Sequence, residues 1–502
     1  MNNILKDHRL ILFLILSVLI LVGWFDERIP SNNETGWDGK HYAHYVIDLP
    51  HQVMNGEIDS YHFYRLMPCF IVYLLLKLFH YDPNSVNVVH AFLALNTLLI
   101  LLSALYYFVL CNHLKVTKHA ETIGFAGLFF NFVILKNSFY YPVLTDVFAF
   151  AFGFFVVGEF IRKKWMSTFF AFILGIFTYP LFFVSSFVFL IRSKSNLIET
   201  CISKIFPLIK YILPIFLSFA LYIYFIFGKQ LIFNEYFFNL SKPWLIIGFP
   251  MMLVYIYKIF NVKFSFHQNS LNKFNEVKII FLIIALFSSY FLINHYVRTI
   301  AIPEDDFTSS TFLWIIFQQS IAKPFSFLIA HFTYFGPIIL LMLFYYKKMI
   351  AEIPQFGWQL FVFIFIYLIL GIGSESRQFM NAYPAFVMLL VMTINQINFN
   401  KKVVIGFVLI SLFQSHFWLQ INRPKIYESY IYDKFPEQYY FMHHGPFASD
   451  TSYLINAAIF IFFILLFGFV IKKQNLNPRI LRYAEPVSAS YTPDSETSLP
   501  VR

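Results

Sequence analysis

The chain has 502 residues, 59% of them hydrophobic and 21% aromatic but only 13% charged, a balance that excludes an ordinary soluble domain and asks for an apolar solvent. Its net charge of +10 would suit nucleic acid, but in a chain of long apolar runs it first reports which loops stay cytoplasmic. Cys69, Cys111 and Cys201 are odd in number and widely spaced, so they suggest neither a disulfide framework nor a metal site.

Apolar runs extend from Leu10 to Lys473, which predicts an all-α polytopic membrane protein with about 14 transmembrane or re-entrant helices. Residues 1 to 9 and the run after them look like a signal peptide. However, no small-residue cleavage site precedes Trp24-Phe25-Asp26, and the run is long enough to span, so a retained anchor near 10 to 25 is expected. A long outer loop, 26 to 87, follows. Within it, residues 66 to 79 are apolar but short, with Pro68 near the start and Lys77 near the end, and read as an interfacial helix. Further spans are expected near 88 to 111, 122 to 138, 146 to 161, 167 to 179, 181 to 191, 205 to 227 and 244 to 260. The remainder lie near 279 to 296, 326 to 345, 358 to 372, 379 to 396, 403 to 420 and 453 to 471. The stretch 167 to 191, bent at Tyr179-Pro180, is read as two short passes, a re-entrant hairpin or one kinked helix. This arrangement places Arg162-Lys163-Lys164, Lys347-Lys348, Lys401-Lys402 and Lys472-Lys473 on the cytoplasmic side. Residues 1 to 200 form one membrane module, 201 to 473 a second with outer loops near 296 to 325 and 421 to 452, and 474 to 502 a disordered cytoplasmic tail.

Ionisable residues gather on the outer side. The first loop carries seven acids between Asp26 and Asp59, His41, His44, His51 and His62, and Tyr64-Arg65 just before the interfacial helix. Asp146 stands at the outer end of a span after Tyr140-Tyr141-Pro142-Val143-Leu144-Thr145, and acids at that depth are functional candidates. Arg298 with Glu304-Asp305-Asp306, the turn Glu375-Ser376-Arg377-Gln378, and Arg423, Lys425, Asp433 and His443-His444 complete the set. Plainer readings stand beside these. Asp38 before Gly39 is a common turn pair, Asp146 suits the N-cap of a helix starting at Val147, and Arg377 has Glu375 as a neighbour to pair with. The histidines lack a secure ligand spacing, so no metal site is expected.

Trp37-Asp38-Gly39-Lys40-His41-Tyr42 is similar to the Trp-Asp-x-x-His-Phe pattern of the GPI mannosyltransferase branch of the GT-C superfamily. Tyr64-Arg65-Leu66-Met67-Pro68 resembles the aromatic and proline motif that follows it there, and Leu144-Thr145-Asp146 the second acidic motif. These glycosyltransferases take sugars from polyprenyl- or dolichyl-phosphate carriers on the non-cytoplasmic face. The resemblance covers residues 1 to 200 and implies catalytic roles for Asp38 and Asp146. Substrate-binding roles fall to Trp37, His41, Tyr42, Arg65, Glu375, Arg377 and Arg298. Inverting transfer needs a base for the acceptor hydroxyl and a cation for the departing phosphate. Asp38 is the expected base, and Arg377, Arg65 or Arg298 the clamp on the phosphate, with Arg377 preferred because it lies in an outer turn and a planar guanidinium matches phosphate oxygens; an apolar groove between spans would hold the lipid tail.

The expected partners are a polyprenyl-phosphate-linked sugar, a glycan, lipid or protein acceptor, and membrane lipids, with no nucleic acid. No cofactor is called for, and nothing in the spacing supports a divalent cation. A lipid-linked oligosaccharide flippase or a membrane polysaccharide polymerase remains an alternative. A bacterial inner membrane is favoured by the Ile, Phe, Asn, Lys and Tyr usage, with the endoplasmic reticulum expected if the cell is eukaryotic.

Overall fold

The computed structural model describes residues 7–179, 181–191, 196–231, 242–262, 323–397, 399–421 and 450–475, with isolated positions between 284 and 321. Among them the secondary structure is helical, with no β-strand and an isolated bridge between Asp59 and Ile302. The first helix, α1 (Asp7–Trp24), shows what surrounds the bundle. Leu16 is fully buried, yet Leu21 on another face is 58% exposed. A helix in water would place polar groups on its outward face; here that face is apolar too, which fits a lipid environment.

The first loop folds into short helices: α2 (Asp38–Ile47), α3 (Leu49–Met54), α4 (Ser60–Phe63) and α5 (Leu66–Leu78). Asp59 starts α4 by accepting the His62 backbone N–H at 2.9 Å, a side-chain cap that satisfies an orphan donor. The stretch expected as an interfacial helix is thus helical over nearly its full length. Next come α6 (Ser85–His113), capped by Asn84, and α7 (Lys118–Phe129). The run 122 to 138, expected as one pass, is interrupted. Asn131 donates to the Gly127 and Leu128 carbonyls and accepts from Ile134 N at 3.0 Å. Inserting a side chain into the ladder bends a helix. A π-turn, Val133–Asn137, and α8 (Ser138–Tyr140) follow at 47° to α7.

The chain continues through α9 (Asp146–Ile161), α10 (Trp165–Gly175) and α11 (Phe182–Ser186), the last running into a 3₁₀ turn at Phe187–Leu190. Segment 181 to 191 is therefore not one regular helix, and Pro180 lies outside the described residues. After α12 (Asn196–Leu231) and α13 (Lys242–Phe260), α14 (Ser326–Phe335) and α15 (Ile338–Glu352) meet at a bend of 117°. Gly336, at φ +77°, and Pro337 make that corner, since glycine accepts the left-handed backbone and proline cannot continue the ladder. The last helices are α16 (Trp358–Leu370), α17 (Tyr383–Asn395), α18 (Lys401–Gln414) and α19 (Asp450–Asn475).

By length and apolar composition, three described helices can cross a membrane, or five if each bent pair is one span. The expected fourteen crossings are not established. Several predicted passes are helices of 10–17 residues, and two predicted continuous passes are broken at Asn131 and at Gly336-Pro337. Part of the predicted span near 279 to 296, most of the outer loops near 296 to 325 and 421 to 452, and the tail beyond Asn475 lie outside the described residues.

Two glycines set the approach of the elements that carry the charged centre. A Cβ on Gly39 would lie 2.9 Å from the Val143 carbonyl oxygen, so only glycine lets α2 close on the turn before α9. A Cβ on Gly153 would lie 2.0 Å from the Asn381 carbonyl oxygen, where backbone cannot yield. That contact seats the segment after α16 against α9.

Candidate active site

Four chain segments converge where α2, α9 and the 3₁₀ turn Ser376–Phe379 meet the start of α5. Asp38 is the first residue of α2 and Asp146 the first of α9. A carboxylate at a helix N-terminus faces the positive end of the helix dipole, so both acids have a local reason to be where they are. The 3₁₀ turn points Arg377 between them. Arg377 Nη1 donates to Asp38 Oδ2 at 2.9 Å, and its Nε lies 3.6 Å from Asp146 Oδ1 and 3.8 Å from Glu375 Oε1. The Tyr334 hydroxyl adds a long contact to Asp146 Oδ2 at 3.4 Å.

This geometry revises the plainer readings. Asp38 opens a helix and holds an arginine; it is not a turn residue. Asp146 does not cap a helix from Val147, because the helix begins at Asp146 itself and Thr145 occupies the cap position without a side-chain bond. Arg377 does approach Glu375, but as the longest of its three contacts. Burial disfavours charge on Arg377, yet the carboxylates of Asp146, Asp38 and Glu375 outweigh that and hold its guanidinium well above the ordinary arginine range. The side chains differ in access: Asp146 is 3% exposed, Glu375 25% and Asp38 36%.

Arg65, between α4 and α5, is built differently. It is buried, and its Nη1 donates to the Tyr42 hydroxyl at 3.2 Å. The guanidinium carbon lies 4.3 Å from the Tyr61 ring centre and 5.1 Å from that of Tyr179. Burial pushes the Tyr42 phenol up to about 12, with Arg65 pulling the other way. Tyr42 thus stays a neutral partner and gives Arg65 no counter-charge.

A second polar group lines α2. Asp38, His41, Tyr42 and Tyr45 recur at helical spacing and share one face. The His41 ring stacks on His62 at 4.9 Å, and burial, then His62 and Lys40, pull the His41 pKa down. His62 Nδ1–H donates to Asp59 Oδ2 at 2.5 Å, and the Tyr45 hydroxyl donates to the same oxygen at 2.8 Å. Burial raises Asp59, but the bonds from His62 and Tyr45 outweigh it and hold the carboxyl at about 2.

Asp38, Asp146, Glu375 and Arg377 thus meet directly, Tyr42 and Arg65 stand beside them, His41 lies one turn along α2, and Trp37 packs partly buried at the start of that helix. Arg298 lies outside the described residues, as do Glu304-Asp305-Asp306, Arg423, Lys425, Asp433 and His443-His444. His44 and His51 go elsewhere: His44 Nε2 bonds Gln52, and His51 faces Asp48 and Glu57. Among the described residues no group of three or more His, Cys, Asp or Glu is arranged to hold a metal ion.

Sequence reasoning passed over three contributors. Tyr61 lies one helical turn before Arg65, a spacing that was available as a signal. Tyr179 was noted only as a bend. His331 of α14 was unmarked, yet its Nε2 lies 2.8 Å from the Gly371 carbonyl and its Nδ1 2.9 Å from Ser376 Oγ. A carbonyl only accepts, so Nε2 carries the proton and Nδ1 of the neutral ring accepts from Ser376. His331 ties down both ends of the segment that presents Glu375 and Arg377. No family model, curated protein or solved structure matches this chain.

Proposed function

We propose that this protein is an inverting glycosyltransferase of GT-C type that moves a sugar from a polyprenyl- or dolichyl-phosphate carrier to an acceptor on the non-cytoplasmic face of its membrane. The observation that carries this reading is the meeting of Asp38, Asp146 and Glu375 around Arg377, with Arg65 beside them. Glycosyl transfer needs a proton acceptor and a cation within one small region, and these residues supply both. Asp38 is the most exposed of the three carboxylates and takes the acceptor proton. The acceptor oxygen attacks the anomeric carbon, the bond to the carrier phosphate breaks with its electron pair leaving on phosphate, and configuration inverts. Asp146 and Glu375 hold Arg377 in place. The charges cluster at helix starts and connecting turns, which favours a transferase over a flippase, whose ionisable positions belong in mid-membrane helix breaks.

The test is incubation of purified wild type and Asp38→Asn with extracted lipid-linked sugars and acceptors, followed by mass spectrometry. Sugar transfer with release of carrier phosphate by wild type alone is expected. No turnover by either protein, with movement of carrier across vesicles instead, would replace the enzyme by the flippase.

A further inference from the structure

We propose that His331 is a positioning residue for the transfer reaction, acting on the chemistry through Arg377 without touching substrate. Its effect on a reaction rests on the glycosyltransferase reading; its contacts do not. His331 lies inside α14 among apolar side chains and is 7% exposed. An imidazole there loses its hydration, so both nitrogens need partners. One stretch of chain supplies them. Nε2–H donates to the Gly371 carbonyl at 2.8 Å, and Nδ1 accepts from Ser376 Oγ at 2.9 Å. The ring also stacks on Phe379, with centres 5.6 Å apart.

Gly371 caps the end of α16 and Ser376 opens the 3₁₀ turn, so His331 bridges the connection between them. That connection carries Glu375, and Arg377 follows directly after Ser376. With Gly371 and Gly373 in it, the segment has little power to fix its own shape, because glycine has the widest backbone freedom. His331 supplies the shape from a different helix. The contacts of Arg377 leave small tolerance: 2.9 Å from Nη1 to Asp38 and 3.6 Å from Nε to Asp146. A misplacement of about 1 Å would pull the guanidinium out of reach of Asp146, and errors of that size cost about 100-fold in rate when they reach the reacting groups. A histidine kept only to fill space would make neither bond, and phenylalanine could replace it and still stack on Phe379. The two bonds, not the volume, give His331 its role.

Substitutions separate the two bonds. Asparagine puts its oxygen where Nδ1 stands and glutamine its amide nitrogen where Nε2 stands, so His331→Asn keeps the Ser376 bond and His331→Gln the Gly371 bond. The full-length proteins in detergent are compared by hydrogen exchange and by transfer kinetics. In His331→Phe, amides 372 to 380 should exchange faster while those of α6 and α9 stay as in wild type. Its kcat should fall by about ten-fold or more, with KM for the lipid-linked sugar within about two-fold of wild type. His331→Asn, which holds the turn beside Arg377, should recover more of the rate than His331→Gln. On an Arg377→Lys background, His331→Phe should add little further loss, since the group it seats is already altered. Ser376→Ala cuts the nearer bond from its other partner and should give the same local loosening and the same fall in kcat, which keeps the test open should His331→Phe not fold. Unchanged exchange over 372 to 380 overturns the proposal, as does faster exchange spread through all helices, which marks packing alone. A loss that multiplies in full on Arg377→Lys overturns it too. Transfer by His331→Phe at the wild-type rate overturns it and leaves the enzyme reading standing. Local loosening with no transfer by any of the proteins, wild type included, sinks the enzyme reading and leaves His331 as the residue that seats Arg377.

Discussion

Replacing Arg377 by methionine removes the cation but keeps an unbranched side chain of similar reach. The three carboxylates around it do not suffer equally. Asp38 is 36% exposed and Glu375 25%, so water can take over much of what Arg377 supplied. Asp146 is 3% exposed, and beside Arg377 it meets the Tyr334 hydroxyl at a long 3.4 Å. Stripping one partner from a buried pair costs about 3–5 kcal/mol because the other charge is stranded, and here that charge is Asp146. Arg377→Met should therefore destabilise the protein by about 3–5 kcal/mol. Adding Asp146→Leu should recover most of the loss, since removing both charges of a buried pair is often neutral, whereas adding Asp38→Asn should recover little. The buried thiols Cys69 and Cys111 provide the assay, with Cys201, which is exposed, replaced by serine. Labelling of the two thiols across a denaturant series reports the unfolding midpoint for each variant. The reasoning fails if Arg377→Met costs less than about 1 kcal/mol, or if Asp38→Asn rescues it as well as Asp146→Leu. None of the rescued proteins should transfer sugar.

Asp38→Asn should abolish transfer with a stability change within about 1 kcal/mol, read by product analysis beside the same thiol-labelling assay. Arg377→Lys should show partial loss of transfer, because the charge stays while the two-sided contact with Asp38 and Asp146 does not. Gly153→Ala should cost about 1–3 kcal/mol and lower transfer, since its Cβ would meet the Asn381 carbonyl at 2.0 Å and push the Arg377 segment off α9; unchanged activity would remove that segment from the site. Asp59 supplies a pH test. Its folded value of about 2 lies below its ordinary 3.8, so its contribution, about 2 kcal/mol at most, is present above the ordinary value and lost as pH falls toward 2. Asp59→Asn should therefore be less stable than wild type near neutral pH, with the gap closing in acid; a gap that widens in acid would refute the His62 and Tyr45 pairing.

Much of the helix pattern was legible. The run 146 to 161 coincides with α9, 66 to 79 with α5 within one residue, and 88 to 111 lies inside α6. Apolar runs with polar ends define helices well in a chain this hydrophobic. Breaks within such runs were harder. Gly336-Pro337 carried a visible signal, since a glycine and proline pair punctuates helices, but it sat in a run apolar enough to read through. Asn131 carried none, because its effect depends on bonding Gly127, Leu128 and Ile134 at once. The site was legible as a set of residue types at helix ends. Asp38, Asp146 and Arg377 were named from motifs and position, and the structure brings them together across 339 positions of sequence.

The ranking of the two arginines shows where local reading stops. Both looked alike: a guanidinium at the edge of an apolar helix, next to aromatic or polar residues. What separates them is the company each keeps after folding. Arg377 gathers carboxylates from α2, from α9 and from its own turn, so its charge is spent on holding those elements together. Arg65 gathers the rings of Tyr61 and Tyr179 and the hydroxyl of Tyr42, and forms no ion pair with a carboxylate among the described residues. With 32 tyrosines in the chain, no single one announces itself, and Tyr179 arrives from 114 residues beyond Arg65. The Asp146 carboxylate acts on Arg65 as well as on Arg377, but it ion-pairs with Arg377. That difference makes Arg377 the residue that holds the acids in register.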